Sequence, residues 1–105
     1  MICRIWHGRT TRARADEYAH FLQQRAIPDY RSVPGNLDVA ILRREDGDVT
    51  HFLTVTHWTG EQAIRAFAGD DLLKAKYYPE DAEFLLEFES NVQHYEVIAA
   101  QAASL

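Results

Sequence analysis

The stretch LDVAILRREDGDVTHFLTVTHWTGEQAI, residues 37–64, holds two strands, the turn between them and the start of a helix. Leu37, Val39 and Ile41 alternate along a strand that runs to Arg44, while Ala40 and Leu42 make its other face apolar too, as in a strand covered on both sides. Glu45-Asp46-Gly47-Asp48 is a hairpin turn, and Val49 to Trp58 is the partner strand. Thr59-Gly60-Glu61-Gln62 has the capping-box form, Thr followed three residues later by Gln. The helix it opens buries Ala63, Ile64 and Phe67 and ends near Gly69, a natural residue just past a helix.

Working outward, Met1 to His7 reads as a first strand closed by Gly8, with Ile2, Arg4 and Trp6 on one face and Cys3, Ile5 and His7 on the other. From Arg12 to Ile27 the residues Ala15, Tyr18, Ala19, Leu22 and Ala26 recur at helical spacing, and Pro28 is expected to stop that helix. Asp70 to Tyr78 reads as short helical or irregular chain, Pro79-Glu80-Asp81 as one more turn carrying Phe84 and Leu85 inward, and Val92 to Ala99 as a last strand. The order is βαββαβ, a split-βαβ α+β arrangement in which an antiparallel sheet carries its helices on one face. Its uncovered face is expected to pack on a second copy, giving a homodimer.

Composition agrees with one small domain over residues 1–105. Hydrophobic residues make up 47% and charged residues 26%, an ordinary globular balance. Eleven basic against sixteen acidic residues give a net charge of -5, which disfavours nucleic acid and anionic membranes as partners. Cys3 is the single cysteine, so no intramolecular disulfide forms, and the N-terminus MICRIWHGR lacks the apolar core of a signal peptide. A cytoplasmic location is the expectation. Arg4 and Glu96 are expected as cross-strand neighbours, an inward ion pair between stacked sheets.

These residues resemble the antibiotic biosynthesis monooxygenase family of dimeric α+β barrels. The resemblance runs through the opening strand MICRIWHGR, Pro34-Gly35, Trp58 with the helix start after it, Phe67-Ala68-Gly69-Asp70-Asp71, Tyr77-Tyr78-Pro79-Glu80-Asp81 and the closing Val92-Gln93-His94-Tyr95-Glu96-Val97. It implies a ferredoxin-like chain that pairs sheet to sheet, and oxidation of phenolic molecules without metal or flavin. The family also includes haem-degrading enzymes that use an Asn, a Trp and a His. Those positions fall here on His7 (or, one residue earlier, Trp6), Phe67 and Tyr77, all of them different.

A cofactor-free oxygenase needs a base near neutral pKa, a dry cavity and hydrogen bonds for an oxyanion. On that chemistry His7 is the candidate base, Tyr77 the proton donor or orienter, and Trp58 the wall for a flat aromatic substrate. Phe21, Leu22, Phe67, Tyr78 and Phe84 are the candidate lining. His7 is placed on the helix side, where the family keeps its cavity. No metal site is expected: His51 and His57 stand about 20 Å apart on one strand, His20 lies on a polar flank, and His94 is isolated. No cofactor is assigned. The competing reading is a non-catalytic dimeric barrel that binds a small ligand or serves a stress response, and a haem-binding variant stands third.

Overall fold

The computed structural model describes residues 1–101. The end of the single-domain assignment, residues 102–105, lies outside the described residues. Four strands form one antiparallel sheet: β1 (Ile2–Thr11), β2 (Asn36–Asp46), β3 (Val49–Trp58) and β4 (Gln93–Glu96), in the order β2-β3-β1-β4. The crossover that places β1 between β3 and β4 is what the split-βαβ reading requires.

The hairpin forms where the acidic turn stands, but more tightly than expected. β2 runs on to Asp46, which pairs with Val49, so only Gly47 and Asp48 make the loop. Gly47 has φ +62°, a value L side chains adopt at a cost, which fits a two-residue hairpin turn. β1 does not end at Gly8. The glycine lies inside the strand, and a Cβ there would stand 2.4 Å from the Trp6 ring and 3.0 Å from Leu85, so its missing side chain makes room for the indole.

Pro28 does not stop the first helical segment. After a 3₁₀ turn at Arg12–Arg14, α1 (Ala15–Phe21) passes into a π-helical stretch, Leu22–Ala26, and continues as α2 (Ile27–Arg31). The widened turn just before the proline accommodates a ring that a regular α-helix would press against the preceding carbonyl. α3 (Glu61–Ala68) starts at Gly60 without a side-chain cap, so the capping box does not form. Thr59 is held elsewhere, its backbone N–H donating to the Gly35 carbonyl at 2.9 Å. Gly69, at φ +94°, ends the helix as its position suggests.

Residues 70–78 are irregular apart from a bridge between Lys74 and Asn91, Pro79–Glu83 is a 3₁₀ turn, and β4 is shorter than the stretch Val92 to Ala99. The helices and this strap cover one face of the sheet. Phe52, Trp58, Tyr18 and Ile64 are fully buried there. Among the described residues no helix is long and apolar enough to cross a membrane.

Candidate functional site

Strand alternation divides the side chains into two populations. Arg4, Trp6, Gly8 and Thr10 of β1, with Phe52, Thr54, Thr56 and Trp58 of β3, are buried under the helices. Cys3, Ile5, His7 and Arg9, with His51, Leu53, Val55 and His57, are half-buried on the open face. His7 is therefore on the face opposite to the one expected. The helix side is taken instead by the row containing Arg4, whose guanidinium donates to the backbone carbonyls of Leu72 and Lys74.

The helix-side interior is narrow and unusually polar for a core. Trp6, Tyr18, Leu22, Tyr30, Tyr78 and Asp81 line a cavity of about 10 Å³, space for about one water. Tyr18 donates to Asp81 Oδ1 at 2.8 Å, and the Tyr78 backbone N–H donates to Oδ2 at 2.6 Å. Tyr30 and Thr54 share a hydrogen bond of 3.1 Å between their hydroxyls. Tyr78 donates to Asp29 Oδ2 at 2.5 Å, and Lys76 reaches the same oxygen at 3.0 Å. The Trp6 indole N–H has no acceptor among the described residues.

Burial decides the charge states here. Asp81 is 2% exposed, and loss of solvent pushes its carboxyl above the usual aspartate range despite the two hydrogen bonds it accepts. Tyr18 is pushed up by burial and then by the Asp81 carboxylate, and Tyr78 by burial and then by its hydrogen bond to Asp29. Both stay phenols. At Asp29 burial acts upward, but the hydrogen bonds from Tyr78 and Lys76 outweigh it and hold the carboxyl below its ordinary range.

At the β4 side Arg4 is 1% exposed and donates to the carbonyls of Leu72 at 2.6 Å and Lys74 at 3.0 Å. It also donates to His94 Nε2 at 2.9 Å; burial, and then the Arg4 charge, lowers the His94 pKa and keeps that nitrogen an acceptor. Glu96 pairs with Ile2, two residues away from Arg4 along the strand. The expected Arg4–Glu96 ion pair between sheets is thus absent, because Arg4 points under the helices and its cross-strand partner is His94.

Of the residues singled out as catalytic, none lines this cavity. Trp58 is fully buried in the core, its N–H donating to Thr56 Oγ1 at 2.8 Å and its ring against Tyr30 and Phe67. Tyr77 is half-buried edge-on to Trp6 and donates to the Glu89 carbonyl at 2.6 Å. Leu22 and Tyr78 do line the cavity; Phe67 stacks on Tyr30 with ring centres 4.5 Å apart. Phe21 and Phe84 stack on each other and border an outer groove with His20 and Arg25. The sequence reading missed Asp81, Tyr18 and Tyr30. Tyrosines on an otherwise apolar helical stripe carry a signal that could have found them, since a buried phenol needs a polar partner.

His7 instead sits over a cleft of about 470 Å³ on the open face, lined with Ile5, Leu53, Glu89 and Val92. Its Nδ1 contacts the Glu89 carboxylate and its Nε2 lies 2.9 Å from His51 Nδ1, while His51 Nε2 is 3.3 Å from Asp46. A carboxylate on one ring nitrogen fixes the orientation of the imidazole. Of the haem-degrader positions, His7 is on the open face, Phe67 is in the core and the Tyr77 hydroxyl is engaged, while Trp6, the alternative first position, lies under the helices edge-on to Tyr77. Among the described residues no histidine lines the helix-side cavity.

No family profile matches the sequence, and no curated protein sequence matches it. Solved structures do. A Bacillus cereus protein assigned as an antibiotic biosynthesis monooxygenase is similar at a TM-score of 0.63 and 14% identity, covering 97% of each chain. The haem-degrader MhuD of Mycobacterium tuberculosis, with two haems in its active site, is similar at 0.64 and 20%, covering 97% of this chain and 100% of its own. A mutant of MhuD with two manganese protoporphyrins per active site gives 0.61 and 19%, over 98% and 100%. At these identities the likeness is one of architecture: the chain has the ferredoxin-like α+β fold of the antibiotic biosynthesis monooxygenases.

Proposed function

We propose that the chain is a cofactor-independent monooxygenase of an aromatic or quinol-like small molecule, with the helix-side interior as its reaction chamber. One observation carries this reading: a buried carboxylate with a raised pKa, Asp81, paired with Tyr18 in a cavity that Trp6, whose indole N–H is unpartnered among the described residues, also lines. A carboxylate raised by burial is a stronger base once ionised. It takes a proton from an acidic methylene or hydroxyl, directly or through the Tyr18 hydroxyl. The resulting carbanion or phenolate passes electrons to dioxygen. For a methylene substrate, one oxygen atom becomes the new carbonyl and the other leaves as water with the two hydrogens removed. The Trp6 N–H is a free donor for an oxygen of the bound molecule in a site with little water to compete.

Entry requires space. Lys76 and Tyr78 close the cavity and are tied to Asp29 at its rim, so an outward movement of this part of the strap admits substrate. The open face carries Ile5, Ala40, Leu42, Leu53 and Val55, with Leu42 48% exposed, which supports pairing of two copies through that face.

Two other readings have observations in their favour. A cavity that holds about one water leaves no room for chemistry under the helices, which supports the non-catalytic dimeric ligand-binding or stress-response reading, with the open-face cleft of about 470 Å³ as the ligand's place. The Glu89–His7–His51 chain over its larger cleft keeps His7 as an alternative base. Oxygen uptake with a panel of anthrones and hydroquinones tests the proposal: substrate-dependent uptake is expected, and no uptake with any of them overturns it. In that case a Soret shift on haem titration favours the haem-binding variant, and no shift favours the binding protein.

A further inference from the structure

We propose that Arg4 and Trp6 form a subsite for an anionic substituent on the aromatic ligand, a ring carboxylate beside the group that reacts. The inference rests on the helix-side interior being the ligand chamber and adds the class of molecule it takes.

Arg4 and Trp6 stand two residues apart on the inner row of β1, about 7 Å along the strand. Each has a buried donor without an acceptor among the described residues, Arg4 Nε and Trp6 Nε1. Both unmatched atoms are donors, so the complementary group is an acceptor, and beside a guanidinium it is one with negative charge. Arg4 makes no ion pair with any described carboxylate. Its partners are neutral: the Leu72 and Lys74 carbonyls and the His94 ring. Removing one partner of a buried ion pair is strongly destabilising because the remaining charge goes uncompensated, and here such a charge is built in without its partner.

The surroundings are aromatic and cationic. Phe67 lies with its ring centre 5.9 Å from the Arg4 guanidinium carbon and stacks on Tyr30 at 4.5 Å. Lys76 Nζ is 4.1 Å from the centre of the Phe67 ring, a second cation near the same wall. Asp81 and Tyr18 lie beyond Trp6, around the cavity it lines. Once the strap moves outward, a ligand along β1 places its anionic end at Arg4 and its reacting ring near the base, with the carbonyls of Leu72 and Lys74 giving way to a charge-assisted pair.

The test is anaerobic isothermal titration of the full chain with gentisate, methyl gentisate and hydroquinone, which share one quinol ring and differ in the carboxylate. Gentisate is expected to bind about tenfold or more tightly than the other two, the worth of one charged hydrogen-bonding group. Arg4→Gln is expected to erase that preference and Arg4→Lys to retain part of it, while Trp6→Phe weakens gentisate binding. Equal affinity of the unmutated protein for gentisate and its methyl ester, or no gentisate binding at millimolar concentration, overturns the subsite, and neither result depends on a variant folding. Binding is read without oxygen, so gentisate preference with no oxygen uptake sinks the oxygenase and leaves the subsite, whereas uptake without preference does the reverse.

Discussion

Phe52 and Leu53 are adjacent in β3 and live in different environments: Phe52 is fully buried under Tyr18 with ring centres 5.2 Å apart, while Leu53 borders the open-face cleft beside His7. The same division runs through the whole sheet. The helix side has a cavity of about 10 Å³ and polar groups tied to one another; the open face has a cleft of about 470 Å³ and histidines in contact with exposed carboxylates. Space and desolvation are thus on opposite sides. The open face has room for a ligand, but its base is wet; the helix side has a carboxylate shifted by burial, but must open. We place the chemistry on the helix side because a shifted base lines a cavity there together with Trp6, whose indole N–H has no partner among the described residues.

Truncation should separate the two faces most widely. Phe52→Ala is expected to cost about 3–5 kcal/mol by urea unfolding, and Leu53→Ala about 1 kcal/mol in the single chain, since Leu53 is only half-buried. Equal losses would break the division. Leu53→Asp should act on association instead, shifting size-exclusion elution from dimer to monomer; a protein that is monomeric at micromolar concentration before mutation would remove the paired-sheet account. Next in size, Gly8→Ala forces the Trp6 ring or Leu85 aside, because the new Cβ meets them at 2.4 and 3.0 Å. About 1–3 kcal/mol is expected from such overpacking, read as a lower Tm.

Two aspartates of the helix side give opposite pH signatures. Asp81, raised by burial, contributes stability that is complete below the ordinary aspartate range and is lost as pH rises through its folded value. Asp29, lowered by Tyr78 and Lys76, contributes stability that is complete above that range and is lost as pH falls through its folded value. Melting followed across the acid range should show Asp29→Asn flattening the acid limb and Asp81→Asn removing the fall toward neutral pH. Identical profiles for the two variants would mean the two carboxyls share one environment. The smallest effect belongs to the hairpin tip, where Gly47→Ala meets no atoms but must adopt φ +62°; about 1 kcal/mol is expected.

The fold was legible because β3 alternates without interruption and its turn and following helix are punctuated by glycine. The limits of β3, Val49 and Trp58, match those expected, and the sheet order follows from the element order. The faces of β1 were not legible. Cys3 and Ile5 look like an inner row and Arg4 like an outer one, and only pairing with β3, which sets Trp6 opposite Thr54 and Ile5 opposite Val55, resolves them. Hydropathy has no way to register an arginine held by strap carbonyls 68 and 70 residues away in sequence. The same holds for Asp81, whose partner Tyr18 is 63 residues distant and whose place after Pro79 marks only a helical turn. His7 was chosen as a base for its residue type, and its side of the sheet was inferred from neighbours that turned out to face outward.

The central claim is that the reaction chamber lies under the helices, with Asp81 as the base. Oxygen uptake on the best substrate of the panel, compared between Asp81→Asn and His7→Ala, tests it most directly. A loss on the order of 10²-fold or more for Asp81→Asn, the usual contribution of a general base, with His7→Ala near the unmutated rate, is the predicted result. Full activity in a folded Asp81→Asn protein, with the loss transferred to His7→Ala, would contradict it and move the chemistry to the open face.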